Sequence, residues 1–144
     1  MTLTRAQIDA LRNQPIPLQL AKADLSKSDL RGVYFRGADL SGAIMCYSVL
    51  SEVILWDANL RGTNLGGAVL NDAQLNRAIM VGANLHMANL HKADLHEADL
   101  SHTNLSNADL SNTYLYRADL SNADLSFADL SEAILQNITS VRLN

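Results

Sequence analysis

A large apolar residue stands at every fifth position from Leu20 to Leu135 without a slip, always Leu except at Phe35, Met45 and Met80. Two residues before each, from Leu25 onward, comes a small or β-branched one. It is most often alanine, as at Ala23, Ala38, Ala43 and Ala58, and otherwise Ser28, Val33, Ser48, Val53, Thr63, Thr103 or Thr113. A period of five fits neither the 3.6-residue repeat of a helix nor the two-residue alternation of a long strand. It fits a short extended piece followed by a turn: small residue inward, Asp or Asn outward, Leu inward, then two outward residues at a corner. Four corners close a coil of twenty residues, and such coils stack through backbone hydrogen bonds at about 4.8 Å, the spacing between neighbouring strands. One coil cannot bury its own apolar side, so each needs a neighbour above and below.

The unit A-[DN]-L-x-x is clearest in Ala93-Asp94-Leu95, Ala98-Asp99-Leu100 and Ala108-Asp109-Leu110. In these units, in phase over residues 18–138, the chain resembles the pentapeptide-repeat family. The resemblance implies an all-β fold, a right-handed quadrilateral β-helix of about six coils with four pentapeptides in each and a ladder of Leu and Ala inside. Ahead of it, residues 1–17 predict a short capping α-helix and a linker. Thr4 and Gln7 have the spacing of a capping box, Leu3, Ile8 and Leu11 give one apolar side, and Pro15 and Pro17 end the helix. That helix is expected to cover the N-terminal end of the β-helix. Residues 139–144 are left as a short C-terminal tail.

Composition narrows the class of function. The chain of 144 residues has the length of one domain. Its net charge of −4 argues against a phosphate-binding surface and so against direct nucleic-acid binding. The charge is unevenly placed: from Asp94 to Glu132 eight acidic side chains face one basic, Arg117, a local balance of −7. Cys46 stands alone, so no internal disulfide forms, and a reducing compartment is the simpler reading. Arg5, Gln7, Asp9 and Arg12 interrupt any apolar leader, and no run is long enough for a membrane span. These features predict a cytoplasmic protein that does not enter membranes.

Candidate chemistry thins out once the period is applied. His86, His91, His96 and His102 lie close in sequence, but each five-residue step turns the chain to the next face, whereas metal ligands must converge on one ion. The recurrent Asp and Asn are placed to bond local backbone at the corners. The glycines Gly37, Gly42, Gly62, Gly67 and Gly82 fall at corners too. No enzyme activity and no cofactor are expected. Residues twenty apart should stack, which makes Asp57, Arg77, Glu97 and Arg117 a column of alternating charge. Tyr34, Ile54, Trp56, Tyr114, Tyr116 and Ile134 gather on one outward face as a candidate partner surface. Leu135, Ile138, Val141 and Leu143 are the candidate centre of a C-terminal homodimer. The leading expectation is a scaffold for a protein partner. The alternative, implied by resemblance to the quinolone-resistance members of the family, is a DNA-mimicking inhibitor or protector of a type II topoisomerase, DNA gyrase, through an acidic face of Asp99, Asp109, Asp119 and Asp129.

Overall fold

The computed structural model describes residues 4–14 and 16–139. Helix α1, Arg5–Arg12, opens on the expected capping box: Gln7 N–H donates to Thr4 Oγ1 at 3.3 Å, and Thr4 N–H donates to Gln7 Oε1 at 2.8 Å. Orphan amides of the first turn are satisfied in this way. Ile8 is buried in the same apolar core as the repeats, and Leu11 packs against it. Arg12 ties the helix down by donating to Asp9 and to the Arg31 carbonyl of the first repeats.

From Gln19 onward the chain pairs in parallel with itself at a constant offset of twenty, from Gln19 with Asp39 to Asp119 with Thr139. Each bridging residue is the Asp/Asn position of a unit, and each bridge is isolated. The extended pieces are therefore shorter than strands. Two of five residues are spent on each turn, and only one in five is left to bridge. Within a unit, two N–H groups donate to the next coil and one donates back. Leu25 donates to the Ile44 carbonyl at 2.7 Å and Lys27 to that of Cys46 at 2.9 Å, while Ile44 donates back to that of Ala23 at 2.9 Å.

The corners explain why two residues suffice. Among the described residues the second corner residue of each unit lies in the left-handed region, with φ between +54° and +73°, at eighteen non-glycine positions and six glycines. An L-residue avoids that conformation by roughly 1–2 kcal/mol. Here it closes the turn, because the next small residue's N–H reaches back to the Leu carbonyl, as Ala98 does to Leu95 at 3.0 Å, and the corner N–H itself bonds the next coil.

Inside, the fifth-position residues from Leu30 to Leu115 are completely buried, and the small residues line the interior between them. Polar members of the small set satisfy their hydroxyls on backbone: Ser48 donates to the Met45 carbonyl, Thr103 to Leu100 and Thr113 to Leu110, at 2.6–2.7 Å. Among the described residues, Leu125, Leu130, Leu135 and Ile138 at the distal end are only partly buried. Among the described residues no helix is long and apolar enough to cross a membrane.

Ala98 is buried in the core between the Leu positions, so Ala98→Phe should cost about 1–3 kcal/mol, read as a fall in the urea midpoint. Gly82 has open space around it but φ of +67°. Gly82→Ala should therefore cost on the order of 1 kcal/mol through backbone strain alone. Full tolerance of both changes would contradict this packing and corner geometry.

Candidate functional site

The outward side chains stand in columns, one residue per coil. On the aromatic face, Tyr34 bridges Ile54 and Tyr114 bridges Ile134, so the six residues expected there do share one side. They form two patches, not one. Gln74 and Asp94 lie between them in the same column, and Asn76 and His96 separate Trp56 from Tyr116. Three of the six are already engaged or half-covered. Arg36 lies over the Trp56 ring at 5.7 Å, and Tyr116 is held between His96 at 4.7 Å and Arg117 at 5.8 Å. Ile54 is half-buried. Tyr34, Tyr114 and Ile134 remain exposed. Tyr114 and Ile134 also border an open groove of about 440 Å³, whose other wall is Asp72, Lys92, Asn112 and Glu132.

The charge column resolves into pairs. Arg77 holds Asp57 with two hydrogen bonds of 2.8 and 3.0 Å, and Arg117 reaches Glu97 at 3.3 Å. No ion pair joins Arg77 to Glu97. Arg36 approaches Asp57 from the coil below at 3.8 Å instead, which the twenty-residue count alone did not reveal.

Each histidine near the middle of the column turns to its own neighbour one coil on. His86 Nδ1 lies 2.9 Å from Ser106 Oγ and His91 Nδ1 2.8 Å from Ser111 Oγ, while His96 stacks on Tyr116. Ser106 and Ser111 donate their own protons to Asn104 and Asp109 Oδ1 at 2.6 and 2.5 Å, so both imidazoles must donate from Nδ1. Those nitrogens point at serines on separate corners. Among the described residues, no group of three or more His, Cys, Asp and Glu has the arrangement to hold a metal ion.

The Asp and Asn of the repeat accept from the N–H two residues on: Ser101 to Asp99 at 3.1 Å, Ser121 to Asp119 at 2.9 Å, Ser131 to Asp129 at 2.9 Å. Ionised carboxylates are favoured by such bonds. Asp39, Asp124 and Asp129 are held below the usual carboxylate range, first by the hydroxyl and then by the backbone N–H of Ser41, Ser126 and Ser131.

The four aspartates expected to form one acidic face do not. Asp99 bridges Asp119 and Asp109 bridges Asp129, but these stacks are ten residues apart, half a coil, and occupy different faces. The offset of ten in a period of twenty requires it. At the distal end, Leu135 and Ile138 are partly buried against the core. Val141 and Leu143 lie outside the described residues.

The family profile described as pentapeptide repeats matches in eight copies over residues 19–57, 58–97, 68–107 and 98–137, and the chain belongs to that family. Among solved structures it is similar to HetL, a pentapeptide repeat protein involved in heterocyst differentiation regulation from the cyanobacterium Nostoc. Identity is 33%, over 84% of this chain and 67% of that one, with a TM-score of 0.41. It is also similar to Rfr23 from the cyanobacterium Cyanothece, at 21% identity over 85% and 84% of the chains, TM-score 0.51. A pentapeptide repeat protein of the Arabidopsis thaliana thylakoid lumen shares 28% identity over 74% and 70%, TM-score 0.40. The fold is accordingly a right-handed β-helix. No curated protein matches the chain.

Double-mutant cycles should give a favourable coupling of about 0.2–1 kcal/mol for Glu97 with Arg117 and for Asp57 with Arg77, fading with salt. Arg77 with Glu97 should give none. Because the Asp39, Asp124 and Asp129 values are depressed on folding, their contribution to stability is present above the unfolded value near 4 and is lost as pH falls through the folded values. Ser126→Ala and Ser131→Ala should raise the carboxyl titration midpoints of Asp124 and Asp129 in NMR. Unmoved midpoints would show that the serines do not hold these charges.

Proposed function

We infer that the chain is a non-enzymatic scaffold, a rigid column that presents side chains to a protein partner. The observation that carries this reading is the interior, where Leu and small residues fill each coil and leave the polar columns on the outside. Catalysis on small molecules ordinarily uses a concave site with convergent polar groups. The arrangement here diverges. In this reading the twenty-residue coil is four-sided, the column is about six coils deep, and α1 is its N-terminal cap, with Ile8 as the plug.

The exposed half of the aromatic face, Tyr34, Tyr114 and Ile134, is one candidate contact. A pairing of two chains through Leu135 and Ile138 belongs to the same reading. DNA mimicry is the weaker alternative: Asp99 with Asp119 and Asp109 with Asp129 do stack, but half a coil of separation divides the charge between two faces. The scaffold reading is preferred on that ground.

Immobilised protein exposed to an extract of the source cells should retain at least one protein at stoichiometric level over bare matrix, and the extract should acquire no turnover that the protein alone confers. Retention of nothing above the bare-matrix control would overturn the reading.

A further inference from the structure

At the left-handed corner position the fold places Gly, Asn or a charged residue almost everywhere. Among the described residues large apolar side chains occur there only as Tyr47, Met87 and Phe127, and all three fall in one column at alternate coils, with Gly67 and Asn107 between them. They are 66%, 63% and 89% exposed. Bulky residues are the costliest occupants of this backbone region, and in water their apolar surface stabilises nothing. The fold itself does not ask for them, since Gly62 and Asn112 make the same corner elsewhere.

The setting of the column is shaped to match. A Cβ on Gly67 would lie 2.5 Å from Tyr47 Cε1 and 2.7 Å from Cδ1, so it is the glycine that lets the Tyr47 ring lie along the corner over the next coil. Val49 and Val69 bridge beside it, and Ile44 is exposed on the other side. Toward the distal end the flanking columns carry Asp109, Asp124 and Asp129, and from Gly66 onward this corner and its flanks hold no Lys or Arg. Serine hydrogen bonds keep Asp124 and Asp129 ionised.

Spacing selects the occupant. Alternate coils repeat every ~9.6 Å, and same-face residues of an extended chain recur every ~6.8 Å, which falls out of step. Two turns of an α-helix rise ~10.8 Å, which keeps step over the short distance from Tyr47 to Phe127.

We propose that this corner receives a basic amphipathic helix of a partner protein, with apolar residues seven apart meeting Tyr47, Met87 and Phe127 and Lys or Arg side chains facing Asp109, Asp124 and Asp129. The proposal rests on the scaffold reading and names its contact surface. A second copy would set the same aspartates against each other, and an anionic lipid surface would be repelled by them.

The probe is a labelled helical peptide with Leu at three positions seven apart and Lys on either side of them, beside a counterpart with Glu in place of Lys. The variant is Tyr47→Asn, Met87→Asn, Phe127→Asn, whose asparagines suit the left-handed corner. By fluorescence anisotropy at low salt, the wild type should bind the Lys peptide at least tenfold more tightly than the variant does, and at least tenfold more tightly than it binds the Glu peptide. Equal binding by wild type and variant, or by the two peptides, overturns the proposal. So does a wild type that sediments as a dimer and a variant that sediments as a monomer, which would assign the corner to a second copy. Wild type that cosediments with phosphatidylcholine vesicles while the variant does not would assign the corner to a membrane and overturn the proposal as well. If wild type and variant retain the same proteins from extract, the corner assignment falls and the scaffold reading stands. If neither retains any, the scaffold reading falls and takes the proposal with it.

Discussion

Every feature of this molecule depends on the return of the backbone to hydrogen-bonding register after twenty residues. Once Leu25 has donated to Ile44 and Lys27 to Cys46, the next unit has no freedom of phase, because a slip of one residue would turn its Leu outward and a charged corner inward. The left-handed corners are part of the same constraint. Among the described residues eighteen L-residues occupy them, and each of those from Tyr47 to Arg117 is compensated by a turn hydrogen bond and a coil-to-coil hydrogen bond in addition to the burial of the flanking Leu. Burying a Leu side chain contributes about 1.5–3 kcal/mol, which exceeds the roughly 1–2 kcal/mol of corner strain. A short unit with a strained corner is thus stable only in a stack.

Fixing the backbone this tightly makes the surface a lattice on which side chains meet by count. Asn59 Nδ2 reaches Asp39 Oδ1 and Asn84 Nδ2 reaches Asn64 Oδ1, each at 3.1 Å, and Ser51 reaches Asn71 at 2.8 Å, all at an offset of twenty. The histidines follow the same rule with Ser106, Ser111 and Tyr116. Such contacts consume polar groups that would otherwise converge on a ligand. They leave as unpartnered features only the residues that the lattice does not need, of which Tyr47, Met87 and Phe127 are the clearest.

Much of this was legible in the sequence because the period is local and unbroken. The Leu positions, the small inward residues and the Thr4–Gln7 cap were all readable from residue type and spacing, and counting by twenty found the Asp57–Arg77 and Glu97–Arg117 pairs. What the count does not supply is reach. Whether Arg77 spans to Glu97 as well as to Asp57, and whether Arg36 lies across Trp56, depends on rotamers, and these decide how much of the aromatic face is free. The single-residue width of the extended pieces follows from corner dihedrals that Lys, Glu or Phe at those positions do not announce. Other features lay within reach of the count itself. Ten is half of twenty, so Asp99 and Asp109 could not share a face, and Tyr47, Met87 and Phe127 are separated by forties.

The hydrogen-bond pattern also gives the column a direction that bears on its charge. Two N–H groups per unit point toward the distal coils and one points back, so the peptide dipoles do not cancel along the stacking axis. Their positive ends accumulate distally. An α-helix shows the same kind of imbalance at its N-terminus, where negative charge is stabilised. The distal stretch from Asp94 to Glu132, with eight acidic side chains against one basic, lies at the end where the backbone favours it. The acidic bias therefore has a structural cause that requires no partner. Only where the acids flank unneeded apolar residues, at Asp124, Phe127 and Asp129, does the charge call for a second explanation.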